Sequence, residues 1–164
     1  MKSATLNILK QELVSRSPEE LSEICLRLSK FKKENKELLT YLLFESFDEN
    51  LYVANIKAGI DSQFEQINRT NYYFIRKSIR KILTSTRKYI RYSQQKETEI
   101  ELLIYFCNKL KNFSPSIHGN TQLKKLFDTQ LGLIRKKVST MHEDLQFDYG
   151  IELDKLNDTG YQEG

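Results

Sequence analysis

Glycine and proline are scarce in this chain, six and two in 164 residues, with no proline and a single glycine between Glu19 and Ser114. A β-protein needs turn residues every ten or so positions, so that stretch excludes a sheet of any size. Strand-period alternation is missing too. The chain holds two cysteines, no CxxC, no tryptophan and two distant histidines. That inventory excludes a disulfide scaffold and any spaced Cys/His metal set. No nucleotide-binding glycine loop, HExxH or GxSxG occurs, so no catalytic residue, metal ligand or cofactor is assigned and the protein reads as not an enzyme. No apolar run reaches 18 residues, and Met1 to Lys10 lacks a signal peptide's apolar core. The expectation is a cytoplasmic protein without a membrane span. Asn68-Arg69-Thr70 fits a glycosylation sequon, which means little without an export signal.

What remains is helical period. Apolar residues make up 39% of the chain, with nine Phe and nine Tyr as bulky packing groups, and charged residues 29%. At 164 residues one domain with a real core is expected, burying roughly two-thirds of the unfolded surface. Ser17-Pro18-Glu19-Glu20 is a start signal: a cap, a proline suited to the first position, and a glutamate to close a capping box. Leu21, Ile24, Cys25, Leu28 and Phe31 then form an apolar stripe, which makes Cys25 a small core residue; Cys107, beside Leu103, Phe106 and Leu110, reads the same way. Further helices follow from Leu38 to Phe47, from Tyr52 to Ile67, from Asn71 to Tyr92, and beyond a phase change near Ser93 to Lys96. Ser114 to Asn120 is the clearest loop, and a last helix runs from Leu123 to Met141. The fold class is all-α, with about six to seven antiparallel helices, as HEAT-like stacked hairpins or as an irregular helical bundle.

Residues 18–47, 50–92 and 97–142 can be taken as three successive helical pairs. The first, Leu21-Ser-Glu-Ile-Cys-Leu-Arg-Leu through Leu38-Leu-Thr-Tyr-Leu-Leu, resembles a HEAT-type hairpin. The stretch RLSKFKKENKELLTYLL is similar to one in small uncharacterised all-helical bacterial proteins. The likeness spans about 18–112 and implies stacked helical hairpins.

Charge is distributed unevenly. Residues 143–164 hold seven acids and one base, −6; residues 1–142 hold 25 bases and 15 acids, +10. The expected organisation is a single domain over 1–142 with an acidic, partly ordered tail over 143–164 that could mask a basic surface. That surface is conspicuous. From Gln66 to Lys96, thirty-one residues contain nine bases and no acid. At 100° per residue, Arg69, Arg76, Arg80, Arg87 and Arg91 fall in one stripe and Lys77, Lys81 and Lys88 in a second beside it. Ile75, Ile79, Ile82, Leu83, Thr86 and Ile90 take the opposite side. This is an amphipathic helix of roughly 33 Å with a cationic face.

The eight bases are the candidate partner-binding or polyanion-binding residues. Tyr72, Tyr73, Tyr89 and Tyr92, at its two ends, would stack on exposed bases if the partner were nucleic acid. The function expected is a non-enzymatic interaction module docking an acidic protein partner. An RNA- or DNA-associated accessory protein using the same arginines is the alternative, with lipid binding ranked below it. Oligomeric state is left open. Three weaker constellations remain: His142 with Glu143 and Asp144, which could ligate a metal or serve as an acid–base pair but reads first as a helix C-terminal contact; Glu97/Glu99/Glu101, read as the dipole complement of a first turn; and Asp61/Glu65 one turn apart, which could ligate a cation.

Overall fold

The computed structural model describes residues 1–157. They form eight α-helices, one more than the upper count expected, and no strand occurs among the described residues. The chain divides into two compact units, at Phe47 and Asp48.

The first unit holds α1 (Leu6–Val14), α2 (Pro18–Phe31) and α3 (Lys33–Thr40), which runs on into a π-helical turn, Tyr41–Glu45. Its ends are built locally. Ser17 Oγ accepts from the Glu20 amide at 3.2 Å while the Glu20 carboxylate accepts from the Ser17 amide at 2.9 Å, so the expected capping box is present. The polar break expected over Lys32 to Asn35 shrinks to Lys32 alone, which is extended at φ −142°, ψ 147°. Asn35 Nδ2 then donates to the Leu28 carbonyl at 2.8 Å, fastening α3 to the last turn of α2. What this unit lacks is a core. No residue of α1, α2 or α3 is buried, and Tyr41 is the one buried side chain of the π turn. Fourteen of the twenty exposed large apolar side chains among the described residues belong to it.

Cys25, expected in a core, is exposed, because α3, the helix that packs on α2, buries no residue of it; Cys107 is buried as expected. Burial pushes the Cys107 thiol up to about 12, since the thiolate loses its hydration there. A thiol reagent should therefore titrate one cysteine in the native protein and two in denaturant; two fast thiols in the native state would contradict this arrangement.

The second unit is a helical bundle of α4 (Glu49–Glu65), α5 (Tyr72–Ser93), α6 (Lys96–Lys111), α7 (Thr121–Val138) and α8 (Glu143–Asn157). Its centre is α6, which packs against each of the other four. Position dictates composition: Ile100, Leu102, Phe106, Cys107 and Leu110 are fully buried. Phe64 on α4 meets Phe106 at 5.9 Å and Phe113 at 6.0 Å between ring centroids. All six residues expected on the inner face of α5, from Ile75 to Ile90, are buried. The phase change near Ser93 is a turn with Gln94 in the left-handed region, φ 58°. Glu49 spans this junction, taking hydrogen bonds from the buried hydroxyls of Ser93 and Thr98.

The loop expected from Ser114 to Asn120 contains a 3₁₀ turn, Ile117–Gly119. A Cβ on Gly119 would lie 2.3 Å from the Tyr72 hydroxyl, which donates to the Ser116 carbonyl at 2.9 Å. Any larger residue there would push the Tyr72 hydroxyl off the Ser116 carbonyl. Residues 143–157, read from charge as part of an acidic, partly ordered tail, are helical, with Leu153 and Leu156 buried where α8 packs on α6 and α7. The remaining seven residues of that stretch lie outside the described part.

Candidate functional site

Asn71 caps α5 by accepting from the Phe74 amide at 3.1 Å, so the helix begins at Tyr72 and seven of the eight candidate bases ride on it. Arg69 does not. It precedes the cap, and its guanidinium lies 4.6 Å above the Phe113 ring, a cation–π contact that ties the loop to the bundle. The wheel position given to Arg69 had assumed a helix that starts earlier.

The other bases follow the wheel with differences in depth. Lys77, Arg80, Lys81, Arg87 and Arg91 are exposed; Arg76 and Lys88 are half-buried, and the Lys88 ammonium sits 4.9 Å over the Tyr89 ring. Neutral amides, not acids, hold two of the arginines. Arg87 donates to the side-chain oxygen of Gln130 at 2.8 Å and Arg80 to that of Gln122 at 3.4 Å, both on α7. Gln130 is buried, so its dipole fixes Arg87 without cancelling its charge. Among the described residues, no carboxylate forms an ion pair with Arg76, Arg80, Arg87 or Arg91.

The C-terminal half of this face opens into a groove of about 580 Å³ between α5, α6 and α7. Arg87, Arg91, Lys96, Lys136 and Lys137 surround it, and Glu99 is the single acid of its lining. Glu99 is committed to Lys137 at 2.8 Å, so Arg87, Arg91, Lys96 and Lys136 have no ion-paired acid among the described residues. Ile90, Leu103 and Leu133 supply an apolar floor, and Leu133 is 45% exposed. Lys96, Lys136 and Lys137 were missed by the sequence reading. They come from the start of α6 and the end of α7, and only packing brings them to Arg87 and Arg91; the run Arg135-Lys136-Lys137 was the available signal. A second hollow of about 530 Å³ beside His118 is lined by Lys124, Lys125 and Asp128. There Lys124 and Asp128 pair with each other at 2.9 Å.

The tyrosines divide. Tyr92 is buried, Tyr72 and Tyr89 are half-buried, and Tyr73 alone is exposed, beside the exposed ring of Phe74. A stacking platform at both ends of the stripe is therefore not formed.

The remaining constellations are engaged in local contacts. His142 was placed at a helix C-terminus; it stands instead immediately before α8, its Nδ1 accepting from the Asp144 amide at 3.3 Å. No cluster of three potential metal ligands exists among the described residues. Glu99 and Glu101 each pair with a lysine, Lys137 and Lys57. Asp61 is held by the Lys109 ammonium at 2.8 Å and by the Tyr105 hydroxyl. Lys109 keeps the Asp61 carboxyl below its ordinary range, while burial and that carboxylate push Tyr105 up to about 12. A lowered carboxyl pKa stabilises the fold above the unfolded value and loses that effect as pH falls through the folded one. The difference in urea midpoint between wild type and Asp61→Asn should therefore be larger at pH 7 than at pH 3. An equal difference at both would contradict the pairing.

No protein-family model matches the chain, and no curated protein or solved structure is significantly similar to it. Among the described residues, no helix is long and apolar enough to cross a membrane.

Proposed function

We propose that this protein is a non-enzymatic helical interaction module that docks an acidic segment of a protein partner in the groove between α5, α6 and α7. The observation that carries this reading is the combination of a cationic rim, Arg87, Arg91, Lys96 and Lys136, with an apolar floor at Leu133. An acidic peptide with an apolar residue satisfies both parts, whereas a phosphate backbone uses only the rim. The guanidinium fork favours bidentate carboxylate contacts at the two arginines. Proteins of this kind commonly stack helical pairs, and a HEAT-like arrangement is the form this reading carries with it.

The test uses a fluorescent peptide of glutamates carrying one central leucine, followed by anisotropy in low salt. Replacing Arg87, Arg91 and Lys136 by Gln should weaken binding roughly 10–100-fold, at about 0.5–1 kcal/mol per rim charge. Lys124→Gln with Lys125→Gln should leave it within about twofold, and Leu133→Asp should weaken it. Peptide that fails to bind at low salt, or binds all variants alike, would remove the proposal. The nucleic-acid alternative predicts the reverse preference: a single-stranded oligonucleotide should outcompete the peptide, with affinity falling steeply as salt rises.

A further inference from the structure

We propose that α2 pairs with α2 of a second copy of this chain, antiparallel about a two-fold axis at residue 26. The observation is an apolar stripe that α3, the helix packed on α2, leaves largely exposed. Leu21, Ile24, Leu28 and Phe31 recur at intervals of three, four and three, the spacing of a helix–helix seam. Ile24 is 37%, Leu28 56% and Phe31 78% exposed. No residue of α2 is buried at all. Large apolar side chains grouped on one exposed helix face mark a surface that takes a partner.

Three features favour a second copy as that partner. The spacing reads the same in both directions, so an antiparallel pair centred on residue 26 sets Leu21 opposite Phe31 and Ile24 opposite Leu28 at every layer. Charge reverses through the same centre: Glu19, Glu20 and Glu23 lie on one side, and Arg27, Lys30 and Lys32 on the other. The helix dipole accounts for where those charges sit. It does not account for an apolar stripe symmetric about the same point. A parallel pair would set like charges together; the antiparallel one sets the acidic half against the basic half. A closed two-fold interface of this kind uses one patch twice.

The second feature is net charge. Residues 1–47 contain eight bases and seven acids, so this segment draws neither an anionic lipid surface nor the acidic partner assigned to the groove. The third is area. A stable dimer takes roughly 800 Å² from each partner. Beside α2, Leu9 and Leu13 of α1 and Phe47, just after the π turn, are exposed too, so this unit holds further apolar surface for such an interface.

The test is the oligomeric state of the full chain by sedimentation equilibrium. The expected result is a dimer at micromolar concentration, with Ile24→Glu/Leu28→Glu raising the dissociation constant at least about a hundredfold while helicity by circular dichroism is unchanged. A second measurement needs no core substitution. Cys25 lies within one residue of the axis and is exposed, so a short bis-maleimide should cross-link the wild-type protein into dimers, and Cys25→Ser should abolish this. A monomer at high concentration overturns the proposal. So does a dimer that Cys25 fails to cross-link, or a monomer that binds phosphatidylcholine vesicles through this face. The groove variants Arg87→Gln and Arg91→Gln should dimerise normally, which separates this test from that of the proposed function.

Discussion

Replacing Phe106 by Ala should cost about 3–5 kcal/mol of folding stability, the largest effect expected of any single substitution in this protein. Phe106 is fully buried on α6, the helix against which α4, α5, α7 and α8 all pack, and its ring meets that of Phe64 at 5.9 Å. Removing the ring loses the transfer energy of the side chain and leaves a cavity beside Phe64 in the helix on which the other four pack. Ile79, fully buried on α5, should cost somewhat less, about 2–5 kcal/mol, because fewer atoms are removed. For a protein of ordinary stability, about 5–15 kcal/mol, either change consumes a large part of the margin. Urea titration followed by circular dichroism measures both. A cost near 1 kcal/mol at Phe106 would mean that α6 is not the centre of the bundle.

The order Phe106 before Ile79 could not have been set from the sequence, although the burial of Ile79 could. Along α5 the wheel separates bases from apolar residues cleanly, and all six inner positions are buried. The capping box at Ser17 and the turn near Ser93 were likewise legible, because local hydrogen bonding and chain direction decide them. A periodic stripe reveals a face; it does not reveal what covers it. The same reasoning that buried Ile79 put Cys25 in a core, yet the packing of α3 on α2 buries no residue of that helix and Cys25 is exposed. The extent of the cationic site was out of reach for a related reason. Lys96 and Lys136 are forty residues apart in sequence, and only the packing of α6 against α7 sets them on one groove. In α8 the count of acids obscured a pattern that was present: Leu145, Tyr149, Leu153 and Leu156 recur at helical spacing among them, and the last two are buried.

Deleting residues 143–164 should therefore destabilise the protein by about 3–6 kcal/mol, since the two buried leucines contribute roughly 1.5–3 kcal/mol each. The deletion also removes the bonds from Lys111 to the Lys155 carbonyl and from Arg135 to the Asn157 side chain, both at 2.6 Å. As a test of self-masking it is consequently uninformative, because it exposes α6 and α7 at the same time as it removes the acids. Asp148→Asn, Glu152→Gln and Asp154→Asn change only charge, on residues that are exposed. Their surroundings argue for little coupling to the arginines. Tyr149 has its hydroxyl pKa raised first by burial and then by Glu97, Glu101, Glu152 and Asp148, so these α8 acids lie beside acids of α6. At about 0.15 M salt, where charges are screened beyond roughly 8 Å, the triple variant should bind the glutamate peptide within about twofold of wild type. A severalfold gain that disappears when Arg76, Arg80, Arg87 and Arg91 are replaced by Gln would instead establish that the acidic segment competes with the partner for the groove.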